Sequence, residues 1–172
     1  MDNLAGIINF KVYEDGTDYL GIASITLPTL SNKRMTVNGA GVAGDIVVPA
    51  PGHYDAATVT ISFTDNPMAA YKLSEHRRHL LDCRAAHESY DSTAGKSRVH
   101  AFKRIMEVIP ITRTGGTAAP ASPQGASNEY SLLSIKEYLD GKLVRHWDPL
   151  KFVDKDASGN DSLAEVRSAL GM

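Results

Sequence analysis

The sequence predicts a mainly β fold, and two observations support this fold class. Residues 57–64 alternate between apolar and small hydroxyl side chains, which is the pattern of a strand with one buried face. Two Asp-Gly pairs, Asp15-Gly16 and Asp140-Gly141, each lie between β-rich segments, and this dipeptide favours the tight turn of a β-hairpin. We therefore expect antiparallel strands to form most of the structure.

The first half of the chain provides one hairpin and one further strand. Residues 8–13 alternate between apolar and polar side chains, and residues 19–27 resume a β-rich run after the first Asp-Gly pair. Pro28 ends this hairpin because proline cannot donate a hydrogen bond to a neighbouring strand. The strand at 57–64 buries the following side chains: Ala57, Val59, Ile61 and Phe63.

The second half provides two more hairpins and a loop. Residues 76–90 have apolar residues that would also suit a helix, but a hairpin with residues 99–111 supplies a strand partner that is otherwise missing. Residues 129–139 and 142–147 form the other hairpin around Asp140-Gly141. The uncharged, Gly/Pro/Ala/Ser-rich residues 115–127 have the composition of a flexible surface loop inserted between strands.

Two short helices accompany the strands. Pro67 precedes a helical pattern at residues 68–73, and proline is favoured in the first turn of a helix. Ser162 and Glu165 form a capping-box pattern before a C-terminal helix, and Gly171 supplies its stop signal. The apolar face of this helix consists of Leu163, Val166 and Leu170.

Length and composition limit the function classes. The chain has 172 residues, which suits a single domain over residues 1–172 with a core of its own. A formal net charge of −2 argues against a tight DNA-binding protein, which needs a basic excess. Cys83 is the single cysteine, so no internal disulfide is expected. No apolar run reaches membrane length and no export signal is recognisable, so we expect no membrane partner.

Charge is distributed unevenly along the chain. Residues 1–71 hold seven acidic and three basic side chains, residues 72–128 nine basic and five acidic, and residues 129–172 six basic and eight acidic. Regions of opposite charge would allow copies of the chain to dock head to tail. Equally, folding could mix these regions on one surface, since net charge says little about fold.

Three patterns suggest binding chemistry, and each has a simpler explanation. Residues 39–44 match a dinucleotide fingerprint, but a β-branched run and Pro49 follow instead of the helix that this motif requires. Residues 154–161 resemble a calcium loop without its closing glutamate. Zinc-ligand types also occur close together, without a standard zinc spacing, at His76, His79, Cys83 and His87. The sequence thus predicts no enzyme, no cofactor and no metal site, and the glycines indicate tight bends in an extended arm.

Several segments, taken in order, resemble a known family. They are Leu27-Pro28, residues 39–44, Val48-Pro49, residues 52–55, residues 138–142, Trp147-Asp148 and residues 166–171. Together they resemble the major tail tube proteins of contractile-tailed bacteriophages, a family shared with R-type bacteriocin tubes. The likeness covers nearly the whole chain, although Pro149 departs from the family pattern.

The resemblance implies a β-sandwich or half-barrel with a flanking helix and a C-terminal helix. Six copies would close into a ring whose sheets merge into one inner barrel, and stacked rings would form a hollow conduit for DNA ejection. The implied partners are other copies, a contractile sheath protein, baseplate and tail-terminator proteins and a tape measure protein. The implied location is the virion tail, assembled in the bacterial host cytoplasm. Closing strand edges against neighbours removes an aggregation hazard, and non-closing contacts yield filaments.

Two sets of residues are candidates for roles in such a tube. The glycine-rich residues 30–52 suit an arm that contacts neighbouring subunits or the adjacent ring. Its candidate contact residues are Lys33, Arg34, Met35, Thr36, Val37, Asn38, Gly39, Gly41, Gly44 and Asp45. A lumen that DNA passes without binding should lack basic side chains, because these hold phosphates. The candidate lumen-facing residues are Thr58, Thr60, Ser62 and Thr64, which would equally suit an ordinary solvent face.

Two alternatives remain open from the sequence. The first is the tube subunit of a phage-tail-like bacteriocin or another contractile injection system that carries no genome, because these share fold and polymer. The second is a β-sandwich binding module or small enzyme, which a strictly monomeric protein would favour.

Overall fold

The computed structural model describes residues 3–18 and 21–172. Within these ranges the chain forms eleven strands and two short helices. They are β1 (Asn3–Glu14), β2 (Thr17–Asp18), β3 (Ile22–Thr26), β4 (Asn32–Val37), β5 (Ile46–Tyr54), β6 (Thr58–Phe63), α1 (Met68–Lys72), β7 (His79–Asp91), β8 (Lys96–Thr114), β9 (Ser127–Leu139), β10 (Lys142–Asp148), β11 (Val153–Lys155) and α2 (Ala164–Ala169). Strands account for 56% of the chain and helices for 7%, so the predicted mainly β class is confirmed.

Strand β9 is the centre of a nine-stranded antiparallel sheet. One of its edges pairs with β8 along nearly its whole length. Its other edge pairs with β6 near the start of the strand and with β10 near the end. The main strand order is β11-β10-β9-β8-β7-β1-β2, with β3 added beyond β6. Strands β4 and β5 form a separate two-stranded sheet.

The core lies on one face of this large sheet. Its fully buried side chains come from β1, β6, β7, β8, β9 and α1, and include Val12, Ile61, Leu81, Met106, Val108 and Tyr130. The five-residue helix α1 is too short to cover strands from β1 to β6. The sheet must therefore curve so that its strands cover one another, which is the half-barrel arrangement expected above.

Both predicted Asp-Gly turns are confirmed, but only the second turn joins the two strands that were predicted to pair. Both central residues have positive φ in each turn, at Asp15 and Gly16 and again at Asp140 and Gly141, as a type I′ turn requires. The second turn joins β9 to β10 as predicted. After the first turn, the described pairing of β1 is limited to the two residues of β2. The next described strand, β3, pairs with β6 instead, so the predicted hairpin partner is wrong.

A backbone bend explains this difference. Gly21 has φ +83, a conformation that interrupts an extended strand, and β3 begins directly after it. The start of the predicted strand, residues 19–20, lies outside the described residues. The preferred hairpin of the central region is confirmed, because β7 and β8 pair continuously from His79 and Val108 to Asp91 and Lys96.

Both helices occur where they were predicted, but the capping box of α2 is wrong. The Ser162 hydroxyl donates to the Asp154 carboxylate at 3.1 Å instead of capping the helix. The carboxylate of Asp161 accepts from the backbone N–H of Leu163, the residue before the helix, at 3.1 Å, and no side-chain hydrogen bond caps this described helix. Gly171 has φ +74 and ends the helix as predicted. In the part of the chain that the structure describes, no helix is long and apolar enough to cross a membrane.

Candidate functional site

The separate sheet of β4 and β5 projects as a two-stranded ribbon, which we define as residues 32–54. All ten predicted arm residues lie on β4 or in the connection that follows it, residues 38–45. The strands pair Met35 with Val48 and Val37 with Ile46. Directly paired residues of an antiparallel ribbon point to the same face, so these four side chains share one face.

This face of the ribbon is apolar and exposed. Met35, Val37, Ile46 and Val48 are between 39% and 51% exposed. The opposite face carries the pair of Thr36 and Val47 and is less apolar. A contiguous exposed apolar patch marks an interaction surface. The sequence prediction placed Ile46 and Val48 inside the arm of residues 30–52 but did not count them among its contact residues.

The base of the ribbon is fixed to the main sheet by a polar network. The Tyr54 hydroxyl donates to the Asp154 carboxylate at 3.0 Å, and Arg145 binds both of these side chains. The Tyr54 ring meets the Trp147 ring edge to face at 5.4 Å. Burial raises the pKa of Tyr54, so its hydroxyl stays protonated and able to donate. No sequence signal links Tyr54 and Asp154, which lie 100 residues apart.

A close approach beside this network also holds the ribbon. Gly52 has φ +65, and a Cβ atom at this position would lie 2.5 Å from the buried Leu163 side chain. Only glycine fits both the conformation and the space. The predicted apolar face of α2 is otherwise exposed, because Val166 and Leu170 do not pack into the core.

The four predicted lumen residues lie on or beside β6, on the sheet face that points away from the core. Thr58, Thr60 and Ser62 alternate with buried neighbours, and Thr64 follows the end of the strand and is exposed. The cross-strand register aligns them with further hydroxyl side chains on β3, β8 and β9. These partners are Ser24, Thr26, Thr112, Thr114, Ser127 and Ser131, with Glu129 among them. A hydroxyl face four strands wide results, although whether it lines a lumen stays a prediction.

Two strand edges of the large sheet are open. Strand β1 pairs with β7 on one edge, and on the other, among the residues that the structure describes, only Tyr13 and Glu14 pair, with β2. Strand β3 pairs with β6 alone among the described residues. Ile7 and Ile8, on β1, are 55% and 58% exposed. Open edges with apolar side chains favour pairing with another chain.

The residues that suggested zinc have separate environments. His79 is buried and lies 2.6 Å from a Glu14 carboxylate oxygen, while the His87 ring packs on Phe102 with 4.1 Å between centroids. Burial raises the pKa of the Cys83 thiol to about 12. Among residues 3–18 and 21–172, no group of three or more ligand-type side chains is placed to hold a metal ion.

One arrangement resembles a catalytic triad that the sequence did not indicate. Ser89 Oγ lies 2.9 Å from His100 Nε2, and His100 Nδ1 lies 2.7 Å from the Asp140 carboxylate. The His100 hydrogen bond lowers the pKa of Asp140, which also accepts from the backbone N–H of Ala101. Ser89 is only 1% exposed, so its hydroxyl has no access to a substrate. The three side chains instead connect the β7–β8 hairpin to the turn between β9 and β10.

An exposed apolar ribbon, open strand edges and a broad hydroxyl face are typical of a structural subunit that assembles with other chains. Comparison with protein families matches residues 5–171 to the model of phage tail tube protein FII. The chain belongs to this family and is therefore a structural subunit of a phage tail tube. Members of the family assemble into the tube of the virion tail. Comparison with curated proteins finds no match.

Proposed function

We propose that six copies of the chain form a ring, and that rings stack into the inner tube of a contractile tail through which DNA is ejected. A contractile sheath, a baseplate, a tail terminator and a tape measure protein are its partners in this proposal. The tube assembles in the bacterial host cytoplasm. The single observation that carries the stacking is the ribbon, because its apolar face is exposed in the isolated chain.

The ribbon has the properties of a contact element between subunits. Its base is fixed through Tyr54 and Gly52, so the direction of the ribbon is set before it meets a neighbour. Its apolar side chains lose contact with water when a neighbouring copy covers them, at about 25 cal/mol per Å² of apolar surface. A contact between different surfaces of identical chains need not close, which is how rings extend into filaments.

The hydroxyl face supports the conduit in this proposal. Thr58, Thr60 and Ser62 offer hydroxyl groups and no positive charge to passing DNA. Basic side chains would hold phosphates by releasing their counterions, which would slow ejection. Glu129 on the same face would repel phosphates, so this wall would let DNA slide without retaining it.

Electron microscopy of negatively stained protein at increasing concentration tests the proposal. We expect hollow tubes of uniform width from the wild-type chain. Val37→Lys places a charge on the apolar ribbon face and should prevent tubes, whereas Thr36→Lys on the opposite face should leave them largely intact. Both variants should retain the wild-type circular dichroism spectrum. Normal tubes from Val37→Lys, or no tubes from the wild type when preformed tube ends are added, would contradict the proposal.

A further inference from the structure

A groove on the outer face of the large sheet carries an excess of basic groups. It has a volume of about 810 Å³ and lies over β1, β7 and β8. The register places Arg84 directly beside Lys103, with Tyr138 next along the same row. Ala86 and Ala101 form a paired row of small side chains beside it. We define the basic groove as the surface formed by Arg84, Ala86, Ala101, Lys103 and Tyr138.

The positive charge of the basic groove is only partly neutralised. One carboxylate oxygen of Asp82 lies 2.7 Å from Arg84 and 3.6 Å from Lys103, so two cations share a single anion. Lys136 is exposed on the same face and lies two strands from Asp82 in the same cross-strand row, which Ile105 connects. An occupant with a carboxylate would therefore complement this surface, and side chains of small volume would fit over the alanine row.

The end of the ribbon offers this combination. Residues 38–45 consist of small residues, mainly glycine and alanine, and end in Asp45. Asp45 is exposed and directly precedes β5. The glycines let the backbone approach a surface closely, because they carry no Cβ atom.

The ribbon of the same chain is not placed to fill the groove. It is anchored at β10 and β11 through Tyr54, on the core side of the sheet. The groove lies on the opposite face, and β7 is three strands away from β10. We propose that the basic groove of one copy receives the ribbon end of a second copy, with Asp45 beside Arg84 and Lys103. This inference rests on the proposed function and names the surface that the ribbon contacts.

Charge reversal tests the pairing, with the protein concentration needed for tube formation as the measured quantity. Asp45→Lys and Lys103→Glu should each raise this concentration about tenfold, because each places like charges together. The double variant restores opposite charges and should return to within about threefold of the wild type. Asp55→Lys, an exposed carboxylate outside the ribbon end, is the control with the same change in net charge and should have little effect.

A disulfide provides an independent measurement. In a Cys83→Ser background, Ala43→Cys combined with Ala101→Cys should give disulfide-linked chains of copies when tubes are oxidised. Ala43→Cys combined with Thr112→Cys, on the hydroxyl face, should not. Normal tubes from both charge variants, no recovery in the double variant, or no cross-link would overturn this inference and leave the proposed function standing. Absence of wild-type tubes would overturn both.

Discussion

Replacement of Glu14 by Gln tests the buried ionic cluster at the end of β1. A Glu14 carboxylate oxygen lies 2.6 Å from His79 Nδ1 and 2.9 Å from an Arg77 guanidinium nitrogen. The other ring nitrogen of His79 lies 3.0 Å from the Glu75 carbonyl oxygen. Two acceptors, the Glu14 carboxylate and the Glu75 carbonyl, therefore lie within hydrogen-bond distance of the buried His79 ring. Glu14 is thus a buried carboxylate that pairs with the Arg77 guanidinium and contacts the His79 ring.

The expected loss of stability follows from this geometry. A hydrogen bond to a charged group contributes about 1.5–3 kcal/mol, and Gln cannot replace the charge that the carboxylate presents to Arg77 and to the buried His79 ring. Arg77 is half exposed and can turn to water, so we expect Glu14→Gln to lose about 3 kcal/mol. At about 2–4 °C per kcal/mol for a chain of this length, the melting temperature should fall by about 6–12 °C.

Urea unfolding of the monomer, followed by fluorescence of the buried Trp147, measures this loss. Asp15→Asn is the matched control, because it removes a neighbouring carboxylate that is exposed in a turn. We expect the control to change the free energy of unfolding by less than about 0.5 kcal/mol. If Glu14→Gln lost no more than the control, the buried cluster would not be what holds this end of the core.

Three other predictions concern the ribbon base, the thiol and the partly buried His146. Gly52→Ala should cost about 1–3 kcal/mol more in urea than Gly95→Ala, since both strain a positive φ but only the first collides with Leu163. Cys83 should not react with a thiol reagent at pH 8 in the folded chain and should react fully in urea, because burial raises its pKa to about 12. Burial, with neighbouring lysines, lowers the pKa of His146, so the folded chain favours the neutral ring. The contribution of His146 to the free energy of unfolding is therefore complete above pH 6.5 and is lost as the pH falls through the lowered pKa. His146→Gln should flatten the pH dependence of the urea midpoint below pH 6.5.

Local patterns predicted the strands well, because their information lies in neighbouring residues. The alternation at 57–64 places Val59 and Ile61 in the core, and Asp140-Gly141 forms the expected turn. Partner choice was harder to predict. Strand β3 leaves β1 for β6 after a bend at Gly21, and no short-range signal indicates which of two compatible strands it will meet.

The candidate site was predicted only in part, because some of its features lie in neighbouring residues and others depend on strand pairing. Glycines and low charge predicted an extended arm at residues 30–52, and the structure shows a separate two-stranded sheet, β4 and β5, in this region. The apolar face of that sheet depends on the register of two strands, which pairs Val37 with Ile46 across the connection. The network at Tyr54 joins segments 100 residues apart, so only folding brings it together.

Among the described residues, β4 and β5 contact mainly each other, so the ribbon has a fixed base and a projecting end. An isolated two-stranded hairpin is marginally stable in water, so its outer part depends on what it docks against. Gly52 against Leu163, together with Tyr54, restricts the base before docking occurs. Association therefore has to order fewer residues, and more of the apolar burial contributes to affinity. This division matches the part-buried Gly52 and Tyr54 at the base and the exposed, apolar Met35 and Ile46 further out.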